Sequence, residues 1–304
     1  MNHNVSAQST GWQADLALVI VTLLAAAGWI FSKEALSVFE PFTFVSVRFS
    51  CAGLILGIFG WKAIRALDLA AFRQTLLVGV CFGVSMVFWV LGMHHGTHLG
   101  IGAFLNSLGV ILVPLIIGLI GDRVTSTLKV ALSLALLGLV LLMLDGDFAF
   151  GWGEASFLVA ASLFACTFVL NSRAAARTSP LALTAIQLGM VGMVTAPLAL
   201  WLEGADGLPG LSLATDQEVW GWMLAAILIA TCARFFLQTW GQSKTSASSA
   251  AVILIAEPVW SAMLAAAWFG ESMSSMQMIG CGLIFSALLA SRWPAVRQFL
   301  KLWF

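Results

Sequence analysis

The stretch ILIAEPVWSAMLAAAWFGESMSS, residues 253–275, holds one ionisable residue before Gly270, Glu257, and a proline follows it. Together with the residues before it, it forms an apolar run from Ser246 to Gly270, long enough to cross a hydrocarbon core of about 30 Å. A carboxylate at the centre of such a run costs about 2.5–3.5 kcal/mol even on the lenient insertion scale, so Glu257 is a functional candidate by default. Pro258 has no N–H, which frees the carbonyl of Leu254 and tends to kink a helix. A freed carbonyl at that depth requires protein or a water-filled cavity to satisfy it. Glu257 and Pro258 thus predict a bent, polar point facing the interior, serving either proton coupling or the bracing of neighbouring helices.

Composition carries the same message over the whole chain. Of 304 residues, 61% are hydrophobic and 9% charged, with mean hydropathy +1.00. A soluble domain uses about 25% charged residues to cover its surface. The class is an all-α polytopic membrane protein, with the lipid bilayer as its main partner and no room for a sizeable soluble domain. Residues 1–13 contain no Lys or Arg and the first apolar run exceeds a signal h-region, so it is expected to stay as the first span. Cys51, Cys81, Cys166, Cys232 and Cys281 all fall inside apolar runs without Cys-x-x-Cys spacing, which favours small packing residues over disulfides or zinc.

Apolar runs and their polar breaks give ten spans, near 14–32, 43–61, 72–92, 98–121, 127–144, 152–171, 181–202, 218–240, 246–270 and 274–293. Breaks at Glu40-Pro41, Gly121-Asp122, Asp145-Gly146-Asp147, Ser179-Pro180, Gly207 to Gly210 and Gly270-Glu271 carry turn and cap chemistry. With the N-terminus and the even-numbered turns on one side, that side collects Lys62, Arg65, Arg73, Arg123, Lys129, Arg173, Arg177, Lys244, Arg292, Arg297 and Lys301. The other side receives only Lys33, while the acidic residues lean towards it. The positive-inside rule then places both termini in the cytoplasm. Trp61, Trp152, Trp201 and Trp220 fall near span ends, where an indole keeps its N–H wet.

Residues 253–275 also superpose on FLNSLGVILVPLIIGLIGDRVTS, residues 104–126, at an offset of 149. Leu105 meets Leu254, Gly121 meets Gly270, Asp122 meets Glu271 and Ser126 meets Ser275. Five spans per half is an odd number, so a repeat must insert upside down. The charges agree: Arg123 and Lys129 follow span four, while only Glu271 follows span nine. The expected organisation is a first five-helix repeat over 1–146 and a second, inverted one over 147–304, with a short basic and aromatic tail, RQFLKLWF (297–304), suited to an anionic leaflet. Inverted repeats are the architecture of secondary transporters, whose site lies near the midplane between the halves.

Three segments carry a family resemblance: GWIFSKEAL (28–36) leading through Pro41 to Arg48, GDRVT (121–125), and IAEPVWSAMLAAAWFGES (255–272). The chain resembles the drug/metabolite transporter superfamily in its ten-helix EamA-like branch, and within it is most similar to aromatic amino-acid exporters of the YddG type. The resemblance implies export of amino acids, aromatic and other neutral ones, or related small metabolites across a bacterial inner membrane. One departure stands out. Glu257 aligns with Leu108 and Pro258 with Gly109, so the charge and the expected kink belong to one half only.

Each site candidate has a competing structural reading. Arg234 lies roughly 7 Å in axial height from Glu257, within reach of pairing, or else it snorkels to the interface. Arg48, five residues from the outer end of its span, reads as a snorkelling or helix-end residue. Ser85, Trp89 and Gly92 share one helix face. Asn106, Gln238 and Gln242 are amides that need an internal partner, and Trp89 and Trp260 offer stacking surfaces or a cation–π face. The wall of the site is expected from spans three, four, eight and nine, or these residues simply pack helices together. HHGTH (94–98) reads as a polar outer turn rather than a metal site, and Gly53–Gly57 and Gly79–Gly83 as packing pairs.

No Gly-x-Gly-Asp pair, His-Glu-x-x-His or paired membrane carboxylates suggest an enzyme, and nothing calls for a metal, a cofactor or nucleic acid. The expected function is alternating-access export of a small-molecule substrate by a monomer or homodimer, with Glu257 the candidate residue for proton coupling. A facilitator or exporter of sugars, nucleosides or cationic drugs is the alternative. A dominant anionic substrate is not expected, because only Arg48 and Arg234 place positive charge in the spans.

Overall fold

A computed structural model describes residues 3–109, 111–113, 116, 126–144, 150–204, 217–244, 250, 253–291 and 293. Among these every regular element is helical and no strand occurs. The helices are α1 (His3–Ala35), α2 (Pro41–Arg65), α3 (Leu69–His95), α4 (Leu99–Ser107), α5 (Ser126–Leu144), α6 (Trp152–Ala175) and α7 (Pro180–Leu198). They continue with α8 (Gln217–Ile227), α9 (Arg234–Lys244), α10 (Glu257–Phe269) and α11 (Ser275–Ser291). A π-helical stretch, Ala199–Glu203, extends α7, and a second one, Leu228–Ala233, joins α8 to α9. Six of the helical stretches are long and apolar enough to cross a membrane: Gln13–Ala35, Pro41–Arg65, Leu69–His95, Trp152–Ala175, Pro180–Glu203 and Glu218–Lys244. Their outward faces are apolar, as Leu54, Ile58 and Phe59 on α2 illustrate. A helix suits that setting because it satisfies its backbone internally. The turns at Gly121-Asp122, Asp145 to Asp147 and Gly207 to Gly210, and the tail 297–304, lie outside the described residues.

α2 lies along α7, α3 packs against both α6 and α7, α5 lies along α11, and α4 against α10, while α1 runs against α8, α9 and α10. Small residues set the closest approaches. A Cβ on Gly53 would stand 2.5 Å from the Gly189 backbone nitrogen on α7, and one on Gly79 2.6 Å from the Met190 side chain of the same helix. Gly83 is closed off by Val194, but Gly57 meets nothing within 4 Å and packs against no neighbour. Cys166 likewise departs from the packing role expected of it, because its side chain is exposed.

Two carboxylates from distant parts of the chain cap helix N-termini at one end of the bundle. Glu203 accepts the Phe42 and Thr43 backbone N–H groups at 2.6 and 2.8 Å and the Thr43 hydroxyl at 2.7 Å, capping α2. Glu271 does the same for α4 through the N–H groups of Leu99, at 2.9 Å, and Gly100, at 3.2 Å. Each negative charge satisfies orphan donors and sits at the positive end of a helix dipole. Lys33 donates to the Met93 carbonyl at 3.3 Å and the Trp268 indole to Glu34 at 2.8 Å nearby. This end, which includes His95, is tied together by bonds between elements far apart in sequence. His94 and His95 are exposed there, edge to face at 4.8 Å.

The break at Glu257 is not a kink within one continuous helix. The chain turns at residues 255–256, and α10 then starts, with Glu257 and Pro258 in its first turn. Proline suits that place because a first-turn N–H has no intrahelical partner to lose. The other half is interrupted as well, over one residue: α4 ends at Ser107, Leu108 is a turn residue, and Gly109 and residues 111–113 are helical. With the 149-residue offset Leu108 falls on Glu257, just past the turn at 255–256, so the two interruptions lie close together without superposing, and the first contains neither charge nor proline. Both halves interrupt the regular helix near this height, and the charge and the proline belong to the second alone.

Candidate functional site

Inside the bundle lies a cavity of about 170 Å³. Six residues before the ends of α1 and α3, Trp29 and Trp89 meet edge to face at 5.4 Å, and Trp29 also leans on Phe157 of α6 at 5.6 Å. Phe157 is fully buried, as are Leu105 and Ile101 beyond it, so aromatic and aliphatic packing closes the cavity towards the His95 end. In the other direction the lining extends to Asn171 and Gln242, which lie close to the ends of α6 and α9. Phe49, Phe82, Phe164 and Phe235 make an apolar wall, with Phe82 and Phe235 edge to face at 5.0 Å.

The polar lining is sparse and incompletely paired. Glu257 holds two groups: its Oε2 lies 3.5 Å from an Arg234 terminal nitrogen, and its Oε1 accepts from the Trp29 indole at 3.3 Å. The two charged side chains are each nearly a fifth exposed, at 19% and 17%. Arg234 also lies over the Phe235 ring at 4.2 Å. The Asn171 amide donates to Gln242 Oε1 at 2.6 Å, which leaves Asn171 Oδ1 and Gln242 Nε2 without partners among the described residues. Asn106 Oδ1, Gln238 Oε1 and Arg234 Nε are unpaired as well. A buried polar atom without a partner costs about 1–3 kcal/mol. Several converging on one cavity make a surface that water or a polar ligand can satisfy.

Of the residues singled out from sequence, the structure brings Trp89, Asn106, Gln238, Gln242, Arg234 and Glu257 to the cavity wall. Ser85, Pro258 and Trp260 are not on it. Ser85 is fully buried, donating to the Cys81 carbonyl at 2.7 Å and lying 3.3 Å from the Thr167 hydroxyl of α6. Pro258 is buried behind Glu257, and Trp260 is half-buried with its indole nitrogen unpaired among the described residues. The wall also draws on helices that sequence reasoning left out: Trp29 from α1, Arg48 from α2, Asn171 from α6 and Gln187 from α7.

Arg48 requires a correction. It does not snorkel: only 4% of it is accessible. Its Nε donates to the Thr231 hydroxyl at 2.6 Å, one terminal nitrogen to the Ser32 hydroxyl at 2.8 Å, and the other to the Ala230 carbonyl at 3.3 Å. The π-helical stretch makes this possible. Thr231 bonds back to the Ala226 carbonyl five residues earlier, and the widened turn presents the Ala230 carbonyl sideways to Arg48. Such single-turn π insertions occur often at functional sites. No pattern in Leu228–Ala233 announced it; the only sequence signal was an arginine within an apolar run.

Comparison with known proteins places this geometry in context. The EamA-like transporter family model matches residues 12–144 and 151–293. The chain is 28% identical over 279 residues to an "uncharacterized transporter" of Archaeoglobus fulgidus, covering 91% of this chain and 84% of that protein. It is 26% identical over 217 residues to a second such protein of the same organism, covering 71% and 75%. One crystal structure superposes over 94% of this chain and 98% of its own with TM-score 0.67 and 17% identity, a likeness of fold.

Proposed function

The chain belongs to the EamA-like transporter family of the drug/metabolite transporter superfamily and is a multi-pass membrane transporter; from that premise we propose that it exports amino acids, aromatic and other neutral ones, across a bacterial inner membrane. The observation that carries this reading is the cavity itself, with an aromatic floor of Trp29 and Trp89 beside unpaired amide atoms and the Arg234–Glu257 pair. A volume of about 170 Å³ is room for a small molecule rather than for a single water.

Ten spans in two inverted repeats are part of the proposal, supported by the family model matching twice and by the helix pairing. Exchanging each span for its repeat partner maps the α2–α7, α4–α10 and α5–α11 contacts onto themselves. The same exchange maps α3–α6 onto the contact of α1 with α8 and α9. In this frame both termini are cytoplasmic, the His95 end is external and sealed, and the cavity reaches towards the cytoplasm. Rocking one repeat against the other would break the Glu203 and Glu271 caps and open the external end. Helices α5 and α11 stand apart as supports or dimer contacts.

Uptake of a panel of labelled amino acids into proteoliposomes, with and without a proton gradient, tests the reading. Saturable flux of phenylalanine, tryptophan or other neutral amino acids is expected. No flux for any amino acid shifts the assignment to sugars, nucleosides or cationic drugs. Flux that ignores the gradient and survives Glu257→Gln removes proton coupling through that residue.

A further inference from the structure

The charges on the cavity wall do not balance. Among the described residues two cations line it, Arg48 and Arg234, against one carboxylate, Glu257, and that carboxylate is engaged by Arg234. The bonds of Arg48 go to two hydroxyls and one carbonyl, and no carboxylate reaches it among the described residues. A guanidinium has five N–H groups. Three are used, so one N–H on each terminal nitrogen remains without an acceptor among the described residues. The planar fork is held rigid by its three bonds and by Phe44 and Phe49, whose ring centroids lie 5.6 and 5.3 Å from it. A fixed guanidinium on the cavity wall with an unused N–H on each terminal nitrogen can donate charge-assisted bonds to a carboxylate.

We propose that Arg48 is the specificity-determining residue of the cavity, binding the carboxylate group of the substrate through its two free N–H groups. The inference rests on the amino-acid reading above and adds orientation to it. With the carboxylate at Arg48, the ammonium group is left for Glu257 and the unpaired amide oxygens of Asn106 and Gln238, and the side chain for the tryptophan floor. It also reverses the expectation drawn from sequence that negative substrate charge is unwelcome. Among the described residues, the uncompensated charge in the wall is positive.

The test uses three probes of one shape on the purified full chain in detergent, with binding read from intrinsic tryptophan fluorescence. They are L-phenylalanine, L-phenylalaninamide, which lacks the negative charge, and 3-phenylpropionate, which lacks the ammonium group. Wild-type protein is expected to bind phenylalanine about 10- to 100-fold more tightly than phenylalaninamide, the range for one charge-assisted bonding group. Arg48→Gln is expected to erase that difference, and Arg48→Lys to restore part of it. Equal binding of phenylalanine and phenylalaninamide by wild type overturns the role of Arg48 and needs no variant to fold. Discrimination that persists in Arg48→Gln overturns it as well. Wild-type binding of 3-phenylpropionate but not phenylalanine sustains the carboxylate site and rejects the amino-acid reading. Binding of neither carboxylate rejects the site.

Discussion

The Glu257–Arg234 contact separates bracing from transport chemistry, and the geometry sets how large each effect is. The pair is 3.5 Å apart, the long side for an ion pair, and its side chains are 19% and 17% exposed. Fully exposed pairs contribute about 0–1 kcal/mol, whereas breaking a fully buried one costs about 3–5 kcal/mol. A pair this accessible belongs between them, at about 1–3 kcal/mol. Replacing Glu257 by Gln keeps an oxygen for the Trp29 indole and removes the charge facing Arg234. Glu257→Ala strips both contacts and leaves Arg234 and the indole unpaired, so its loss is expected to be the larger. A double-mutant cycle with Arg234→Gln and Glu257→Gln, read by unfolding in detergent micelles, is expected to give a coupling energy of about 1–3 kcal/mol. Transport by the same variants is measured in parallel. A coupling energy of zero, with all three proteins folded, would falsify the bracing argument. Full stability of Glu257→Gln together with abolished flux would transfer the role of Glu257 to transport chemistry.

Other perturbations probe the frame that holds the site. Gly53→Val forces a side chain into the Gly189 backbone, where even a Cβ would stand 2.5 Å away, and is expected to cost about 1–3 kcal/mol or to prevent assembly; thermal stability in detergent checks it, with Gly57→Val as the tolerated control. Glu203→Ala removes three bonds at the start of α2 and is expected to destabilise by about 1–2 kcal/mol. If those bonds hold the His95 end shut, it should also label more readily there with a thiol reagent at a cysteine replacing Glu40. Sidedness itself is read in a cysteine-free background of intact cells. Cysteines at Glu40 and Ser274 are expected to react with an impermeant reagent and those at Lys62 and Lys244 to be protected; the reverse pattern overturns the orientation.

Sequence and structure contributed unequally. Apolar runs located the described helices to within a few residues over α2, α3, α6 and α7, because a bilayer-crossing helix depends on composition along one segment. Glu257 was legible for a related reason: a charge in an apolar run is conspicuous without any knowledge of neighbours. The interruption at Leu108 was not legible, since no proline or charge marks it.

By itself, then, the chain determined which segments are helical and apolar and which of them carry a polar residue at depth. Tertiary structure alone decided where those polar residues point. Arg48 and Arg234 are both arginines within apolar runs, yet one faces Ser32, Thr231 and a π-helical carbonyl while the other meets Glu257. Trp89 and Trp260 looked alike in sequence, but only Trp89 reaches the cavity. Periodicity assigns a residue to a face of its own helix, whereas its partner is set by which helices pack together.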